Sequence, residues 1–347
     1  MSGKKVHEFV DVLVGMQWGS EGKGKVSSFL SSRYDCVVRS GGSQAGHTFY
    51  VNGKKYVNRQ IPCTVLNSDC SLILSPASII NCGVLSEEIE RYDLTPERLF
   101  VDRTAGVITA EHLLIAKELL SQERYGSTRE GVGLAQASKV LRSGVLFGDF
   151  VKGTLLENFC ADTVKIVHEC IARGKSVLLE GTQGFGLCLN HGVYPFVTSR
   201  DVTTSALLSD AGISPQYHRK TIGVMRTYPI RVGGNSGPTR SKEVFWEDIE
   251  QRSGAPAKIR EYTTVTGRLR RVFEQDFELL ERALLVNCPD EIALMFIDYL
   301  NYEDYGKRYF DDLSNKSKEY VHMLEERLKV PITMIGTGPE EMMMVER

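Results

Sequence analysis

The feature that most constrains the fold is a short apolar run followed at once by a glycine-rich turn. Residues 9–14 read FVDVLV, which is typical of a buried β-strand, and residues 15–25 read GMQWGSEGKGK. Helical spacing of apolar side chains resumes after the turn, at Val26, Phe29 and Leu30. Because backbone N–H groups in such a strand–loop–helix unit can surround an anion, the segment predicts a phosphate-binding loop.

The alternation of strand and helix continues along the chain. Apolar runs predict strands at residues 36–38, 177–179, 221–225, 292–297 and 332–335, and Asn52-Gly53 predicts a hairpin over residues 49–57. Amphipathic spacing predicts helices at residues 109–121, 154–173, 277–285 and 313–328. With no linker, repeat or low-complexity segment, residues 1–347 are predicted to form a single α/β domain around a large, mostly parallel twisted sheet.

Composition excludes several functional classes. Lys and Arg total 42 against 44 Asp and Glu, a net charge of −2, so we expect neither a nucleic-acid partner nor an acidic membrane partner. No apolar run approaches the ~20 residues that a bilayer span requires. The eight cysteines are irregularly spaced and no signal peptide is recognisable, so free thiols and a cytoplasmic location are expected.

The glycine-rich turn differs from a standard phosphate loop in one respect. It satisfies G-x-x-x-x-G-K from Gly19, but Val26 stands where that loop carries Ser or Thr for Mg²⁺. Its glycines and lysines are Gly15, Gly19, Gly22, Gly24, Lys23 and Lys25. An ordinary strand-to-helix turn rarely needs so many of either, which favours phosphate binding through a loop that resembles a P-loop without being one.

Four later segments also combine glycines with chemically useful side chains. They are GGSQAGHT at 41–48, LEGTQGFG at 179–186, TTVTGRLRR at 263–271 and IGTGP at 335–339. A lone histidine is more often structural, and a basic run is more often a solvated surface. Here a glycine loop at a strand end favours a functional His47, and arginine forks match a dicarboxylate. The residues alone therefore predict a ligase-like site with a phosphate donor, a histidine and an anion clamp.

The motifs WGSEGKGK, QAGHT, EGTQG, HGVYPFVTS, TGRLRR and TGP, in this order, closely resemble the adenylosuccinate synthetase family. The resemblance extends from Phe9 to Gly338. It implies an enzyme that joins L-aspartate to C6 of a purine nucleotide, with Mg²⁺ as cofactor, and that assembles as a homodimer. A nucleoside triphosphate first phosphorylates the purine 6-oxygen, and the amine of aspartate then displaces the phosphate.

The resemblance also implies the ligand contacts. The donor nucleotide is expected at Gly19, Ser20, Glu21, Gly22, Lys23, Gly24, Lys25, Gly46, His47, Thr48, Arg270, Phe296, Asp298, Gly336, Thr337 and Gly338. The purine monophosphate is expected at Ser20, Gln44, Thr128, Arg142, Gln183, Thr198 and Arg268. Aspartate is expected at Thr264, Val265, Thr266, Gly267, Arg268 and Arg270.

Particular roles are implied for a few of these residues. Lys23 would lie near the γ-phosphate, and His47 resembles the general acid that stabilises charge during phosphoryl transfer. Gln183 would donate a hydrogen bond to the 6-oxygen, and the Gly46 carbonyl would ligate Mg²⁺. Arg142 would reach the monophosphate of the neighbouring subunit.

Ser20 is the most informative departure from the family. Cellular members carry a catalytic aspartate at this position, which takes the proton from purine N1 and also ligates Mg²⁺. A serine hydroxyl is a feeble base at neutral pH, but it is smaller and leaves room beside C2 of the purine. The same exchange resembles the viral branch of the family, which makes N6-succino-2-amino-2′-deoxyadenylate from dGMP. Ser20 therefore predicts dGMP as the substrate, with Ser20 and Gly46 as the protein's Mg²⁺ ligands.

A second departure concerns the donor. Cellular members read the guanine of GTP through a T-K-x-D element, and Phe296 replaces its lysine while Asp298 remains. An aromatic ring stacks on any base, so ATP or dATP is the expected donor. Glu130 and Gln44 also differ from the family pattern, and nothing in the sequence explains either.

Two other interpretations remain. One is a conventional adenylosuccinate synthetase acting on IMP with GTP, and the other is a nucleotide-binding regulator without catalysis. Retention of His47, Gln183 and the arginine loop argues against a regulator, which has no use for an aspartate clamp. The sequence leaves open whether Glu21 or a water held by Ser20 replaces the missing base.

Overall fold

A ten-stranded sheet forms the centre of the computed structural model, which describes residues 10–119, 126–263 and 267–347. The strand order is β17-β16-β15-β11-β1-β10-β2-β5-β7-β9, and every neighbouring pair is parallel except β16 and β17. The bounds are β1 Val10–Gly15, β2 Cys36–Arg39, β5 Ser71–Leu74, β7 Leu99–Asp102, β9 Cys160–Ala161, β10 Val177–Glu180, β11 His218–Arg226, β15 Glu291–Met295, β16 Ile332–Gly336 and β17 Met344–Glu346. This confirms the predicted α/β class and the mostly parallel sheet.

Shorter strands and ten helices complete the described part of the chain. The remaining strands are β3 His47–Val51, β4 Lys54–Asn58, β6 Ile79–Ile80, β8 Gly106–Val107, β12 Ile230–Arg231, β13 Glu243–Val244 and β14 Arg271–Phe273. The helices are α1 Lys23–Phe29, α2 Cys82–Arg91, α3 Ala110–Leu119, α4 Val132–Val140, α5 Phe147–Phe150, α6 Thr163–Ala172, α7 Thr204–Asp210, α8 Trp246–Ser253, α9 Phe277–Asn287 and α10 Asn315–Leu328.

The central strands are buried along their whole length because both faces of the sheet are covered. Every residue of β1, β2 and β10 is buried. Alternate residues of β1 pack on opposite sides: Val10, Val12 and Val14 belong to one apolar core, and Leu13 belongs to another. Such continuous burial is typical of a parallel sheet between two helical layers.

The predicted hairpin is confirmed, and its turn has the expected backbone. Strands β3 and β4 pair antiparallel around Asn52 and Gly53, whose φ angles are 52° and 76°. Two-residue turns of this kind require positive φ at both positions, which explains the Asn-Gly pair.

One predicted helix is wrong in its first half. Residues 154–173 were expected to form a single helix, but a 3₁₀ turn occupies Leu155–Phe159 and β9 follows it. The helix α6 begins only after Asp162, whose side chain accepts a hydrogen bond from the Lys165 N–H at 3.1 Å. Pairing of β9 with β7 and this N-cap together override the helical periodicity.

Two other predicted boundaries shift by a few residues, and a third cannot be compared in full. Strand β15 ends at Met295 instead of residue 297, because Phe296 turns the chain out of the sheet with φ 62°. Helix α1 begins at Lys23, three residues before the predicted start. The predicted end of the helix at 109–121 lies partly outside the described residues. None of the helices within the described ranges is both long and apolar enough to cross a bilayer.

Candidate active site

The loops singled out in the sequence meet at one edge of the sheet. Strands β11, β1, β10 and β2 are consecutive parallel neighbours, so their carboxyl ends lie side by side. The phosphate loop follows β1, the Gly41–Thr48 loop follows β2, and the Gly181–Gly186 loop follows β10. The carboxyl edge of a parallel sheet is where α/β proteins bind ligands, and it identifies the candidate site.

Glu21 organises the phosphate loop from inside. Its carboxylate is completely buried, and Oε1 accepts the N–H groups of Gln17 at 3.2 Å and Gly19 at 2.8 Å. Oε2 accepts the Lys23 ammonium at 2.6 Å. A side chain on Gly15 would place a Cβ 2.6 Å from this oxygen, so glycine is required there. Both oxygens of Glu21 therefore serve the loop itself.

Lys23 links the phosphate loop to the loop after β10. Its side chain is 3% exposed, and the ammonium donates to the Gln183 carbonyl as well as to Glu21. This places the cation at the junction of two loops on neighbouring strands.

Lys25 points elsewhere, toward the chain's last segment. Its ammonium donates to the carbonyls of Gly338 at 2.7 Å and Met343 at 2.6 Å. Burial lowers the pKa of Lys25 to about 7, although the charges of Asp298 and two glutamates oppose the shift. The same C-terminal segment is joined to the β3–β4 hairpin, because the Glu341 N–H donates to the Tyr50 carbonyl at 2.8 Å.

Ser20 occupies the exposed tip of the loop. Its φ of 56° lies in the left-handed region, which is uncommon for serine and less so for aspartate and asparagine. The Ser20 carbonyl accepts a hydrogen bond from Arg226 at 3.0 Å, which fixes the peptide plane. The side chain at this position is thus set by the backbone and faces outward.

His47 belongs to a buried ionic network. Its Nδ1 lies 2.7 Å from Glu180 Oε1, which also accepts Arg39 at 3.0 Å. The other oxygen of Glu180 accepts the Ser27 hydroxyl at 2.6 Å and the Cys63 N–H at 2.8 Å. Since Glu180 is completely buried, these partners fix its carboxylate, and the carboxylate in turn fixes the imidazole ring.

The network sets the protonation states of its members. Burial and the Arg39 charge together lower the pKa of His47 to about 4, although the hydrogen bond and charge of Glu180 oppose the shift. Burial alone would raise the pKa of Glu180, but the His47 hydrogen bond and the Arg39 charge outweigh it and lower the value to about 2. At neutral pH the imidazole is therefore neutral, with its Nδ1–H donated to the ionised Glu180.

His47, Cys63 and Glu180 place one potential ligand atom each within 4.8 Å of one another. This trio does not suit a cation, because Arg39 already contributes a positive charge to Glu180 and all the carboxylate's bonds go to protein donors. Mg²⁺ prefers oxygen ligands, and the predicted ligands, the Ser20 hydroxyl and the Gly46 carbonyl, are both oxygens. The oxygen atoms of Ser20 and Gly46 thus suit Mg²⁺, although neither belongs to a carboxylate.

Two glutamines of the predicted purine site have unsatisfied polar atoms. In the described part of the chain, Nε2 of Gln183 and Oε1 of Gln44 are buried without a hydrogen-bond partner. Thr182 donates its hydroxyl to Gln183 Oε1 at 2.8 Å, which orients the amide so that the NH₂ group is left over. Buried polar atoms are nearly always paired, so these two atoms mark a place for a polar ligand.

The predicted monophosphate contacts lie on separate segments. Thr128 and Thr198 are half-buried, and a Cβ on Gly133 would lie 3.9 Å from the Ser199 Cβ, which brings their segments together. Arg142 is exposed just beyond the end of α4, with φ 63°. Glu130, just before α4, forms an ion pair with Arg59. The glutamate that departs from the family pattern at this position therefore has a structural partner.

The predicted aspartate loop is only partly described, because Thr264, Val265 and Thr266 lie outside the described residues. Two backbone hydrogen bonds join the residues on either side of the gap: the Gly267 N–H donates to the Thr263 carbonyl at 2.9 Å, and the Thr263 N–H donates to the Arg268 carbonyl at 2.8 Å. Gly267 has φ 62°. Arg271 forms an ion pair with Glu243 at 2.6 Å.

Asp298 and Phe296, the residues predicted to contact the base of the donor nucleotide, differ in their surroundings. Asp298 is buried, its Oδ1 has no partner in the described part of the chain, and burial raises its pKa to about 6. The Phe296 ring, expected to stack on a base, has the guanidinium carbon of Arg226 at 3.9 Å from its centroid.

Sequence reasoning missed Arg39, Glu180, Arg226 and Glu261. A usable signal existed for the first three, since each is a charged residue that directly follows an apolar run at the end of a strand. A charged side chain in that position is buried at the ligand-binding edge and needs a partner. Glu261 has no such signal, because it lies in an irregular segment and pairs with Arg226 across 35 positions.

Comparison with known proteins agrees with this geometry. The family model described as adenylosuccinate synthetase matches residues 12–158 and 152–307. The adenylosuccinate synthetase of Methanocaldococcus jannaschii is 38% identical over 336 residues, covering 95% of this chain and 94% of that protein.

Two solved structures resemble the whole chain. Fully ligated adenylosuccinate synthetase from Plasmodium falciparum is 25% identical with a TM-score of 0.88, covering 98% of this chain and 100% of that one. Cyanophage S-2L succinoaminodeoxyadenylate synthetase (PurZ), bound to dGMP and dATP as an energy donor, is 28% identical with a TM-score of 0.83, covering 98% and 95%. The chain therefore belongs to the adenylosuccinate synthetase family, carbon–nitrogen ligases that use a nucleoside triphosphate.

Proposed function

We propose that this chain joins L-aspartate to C6 of dGMP in an ATP-dependent reaction, giving N6-succino-2-amino-2′-deoxyadenylate for 2-aminoadenine DNA. The observation that carries the proposal is Ser20 at the tip of the phosphate loop. The phage enzyme whose structure resembles this chain was solved with dGMP, which supports the same substrate here.

The steric argument depends on the backbone at Ser20. Its left-handed φ and the bond from Arg226 to its carbonyl fix the direction in which any side chain leaves the loop. A carboxylate there would place negative charge and bulk beside C2 of the purine. A serine leaves that volume to the 2-amino group of guanine, and its hydroxyl oxygen is able to accept one of the amino hydrogens.

The state of Glu21 bears on the missing base. Its two oxygens accept three bonds inside the loop, and ionised Glu21 also neutralises Lys23. These bonds commit both oxygens of Glu21 to the loop itself. We therefore propose that a water molecule held by the Ser20 hydroxyl relays the N1 proton to bulk solvent, with Glu21 kept as the carboxylate that orients the loop.

His47 starts neutral and gains its proton when anions arrive. Phosphate groups beside the imidazole favour the charged form and raise its pKa from about 4. Glu180 then stabilises the imidazolium, which donates from Nε2 to the oxygen that carries developing charge. Gln183 directs its unpaired NH₂ group to the same purine 6-oxygen.

Ser20 and Gly46 would supply Mg²⁺ with oxygen ligands, and the ion would neutralise charge on the donor's phosphates. ATP or dATP is the proposed donor, because Phe296 lacks the charge and hydrogen bonds of a lysine. The unpaired Oδ1 of Asp298 is suited to accept the exocyclic amino group of a base.

The remaining features of the proposal concern organisation. Strands β1 and β17, from near the two ends of the chain, lie in one sheet, which supports a single domain. We also propose that the enzyme works in the cytoplasm and as a homodimer. Val140 and Leu141 are 71% and 76% exposed beside Arg142, as expected for a surface that a second copy covers.

Mixing two inactive variants tests the shared site. Arg142→Ala should lose monophosphate binding in the neighbouring subunit, and His47→Gln should lose phosphoryl transfer in its own. If Arg142 acts across a dimer, random subunit exchange should restore about a quarter of wild-type activity. No recovery after confirmed exchange would contradict this arrangement.

A second candidate, a conventional adenylosuccinate synthetase acting on IMP with GTP, is favoured by the archaeal relative at 38% identity. A substrate matrix separates the two. IMP, GMP, dGMP and dAMP are each combined with ATP, dATP and GTP in the presence of aspartate and Mg²⁺, and phosphate release and product mass are measured. We expect dGMP with ATP or dATP to be the best pair; turnover of IMP with dGMP untouched would overturn the proposal.

A further inference from the structure

Arg226 ends β11 and is completely buried, the largest such side chain in the described part of the chain. We propose that it is a positioning residue that connects the phosphate loop, the aspartate loop and the donor-base segment. This inference rests on the proposed function, since it assigns those three segments to the three substrates. The guanidinium contacts all three at once, and each contact has a separate physical effect.

The first contact fixes the phosphate loop. Arg226 Nη1 donates to the Ser20 carbonyl at 3.0 Å. Because Ser20 has a left-handed φ, its peptide plane would otherwise relax to commoner backbone angles. A charged donor on the carbonyl holds the loop tip, and with it the Ser20 hydroxyl, in one orientation.

The second contact fixes the start of the aspartate loop. Nη1 also donates to Glu261 Oε2 at 3.2 Å, and Nη2 donates to Glu261 Oε1. The Glu261 carbonyl accepts the Arg270 N–H at 2.8 Å, so this residue forms the foot of the loop. Burial would raise the pKa of Glu261, but the charge and hydrogen bond of Arg226 lower it, and the carboxylate stays ionised.

The pairing of Arg226 with Glu261 has a consequence for Arg270. Burial lowers the pKa of Arg270, and the charge of nearby Glu261 opposes this shift. Since Arg226 occupies both oxygens of Glu261, the carboxylate does not have to be neutralised by the Arg270 guanidinium. That cation remains available for the carboxylates of the substrate aspartate.

The third contact places the guanidinium against the donor-base segment. Its carbon lies 3.9 Å from the Phe296 ring centroid and 5.8 Å from that of Tyr299. Such a contact is favourable when the cation is desolvated. The Phe296 ring thus packs against the Arg226 guanidinium, so a shift of either residue alters the position of the other.

The test compares Arg226→Lys with Arg219→Lys. Lysine keeps the charge but cannot bond a carboxylate with a fork and a carbonyl together. Arg219 is the matched control: it lies in the same strand, and it forms a fork with Asp11 through bonds of 2.7 Å and 2.5 Å at the opposite edge of the sheet. Both variants should lose some thermal stability.

We expect Arg226→Lys to raise the KM for aspartate about tenfold and to weaken triphosphate binding several-fold, as the loss of charge-assisted bonds implies. Arg219→Lys should change neither by more than about twofold, in line with a site remote from function. Adding Glu261→Gln to Arg226→Lys should cost less than the sum of the two single changes, since both act on one interaction. Equal KM values in the two lysine variants would overturn the positioning role.

Calorimetric titration with Mg²⁺ and ATP provides a readout without turnover. If wild type performs no aspartate-dependent ligation with any purine monophosphate, the proposed function fails, but the triphosphate affinities still decide this inference. Weaker ATP binding in Arg226→Lys than in Arg219→Lys supports the link from phosphate loop to donor segment. Equal affinity refutes that link.

Discussion

His47 and Ser20 belong to loops on opposite sides of β10 and differ in almost every physical respect. His47 is 8% exposed and hydrogen-bonded to a buried glutamate that Arg39, Ser27 and Cys63 hold in place. Ser20 is exposed, and only its backbone is fixed. A change at His47 disturbs a buried ionic network, whereas a change at Ser20 alters what the loop presents to a ligand. The loop that we propose for phosphoryl transfer is therefore held firmly, whereas the loop that we propose selects the purine can be changed with little effect on folding.

The largest expected effect is on the rigid side. His47→Gln should lower kcat for phosphate release by about 10²–10⁴, the usual contribution of a positioned acid or base. His218→Gln is the control, because that histidine contacts Thr221 at the amino end of β11, away from the candidate site. Rates in single-turnover assays measure the effect. Equal kcat values in the two variants would contradict the proposed role of the His47 loop in phosphoryl transfer.

The next largest expected effect is on the free energy of unfolding at acidic pH. The folded-state pKa of His47 is lowered from 6.5 to about 4, so the unfolded chain binds the proton first as pH falls. The stability due to this group is fully present above pH 6.5 and is lost progressively between about 6.5 and 4, by about 3 kcal/mol. Denaturant unfolding of wild type and His47→Gln across this range should show a smaller decline in the variant. Parallel declines would mean that His47 does not titrate in this way.

The smallest effect in free energy concerns the exchangeable side, but it decides the substrate. Ser20→Asp should lower kcat/KM for dGMP by about tenfold or more and raise it for IMP, since charge and bulk beside C2 each act on discrimination. Ser20→Ala keeps the space but removes the hydroxyl, so it should retain dGMP binding and lose turnover. Unfolding free energies of both variants should stay within about 0.5 kcal/mol of wild type. A larger loss would show that Ser20 is not the exchangeable position we infer.

The sheet and the location of the site could be predicted from the sequence because both follow from local patterns. Apolar runs ending in glycines mark strands whose carboxyl ends lie together, and β1, β10 and β16 all obey this rule. The predicted long helix at 154–173 failed because a two-residue strand and the Asp162 cap carry almost no periodic signal.

The supporting residues of the site were harder to predict. Glu180 lies in a quoted motif, yet its partners Arg39 and Ser27 are 141 and 153 positions away along the chain. Pairing across such distances depends on strand order, which a single sequence does not reveal. The left-handed conformation of Ser20 and the contact of Phe296 with Arg226 are likewise tertiary properties.

The bonds from Lys25 to Gly338 and Met343 join positions 313 and 318 residues apart. During synthesis the phosphate loop and the His47 hairpin are made early, but their partner segment leaves the ribosome some 300 residues later, at ordinary elongation rates of ~5–20 residues per second. The proposed nucleotide site therefore gains these two contacts only after that segment has been made. Until then, the Lys25 ammonium lacks the two carbonyls that accept its hydrogen bonds in the folded protein.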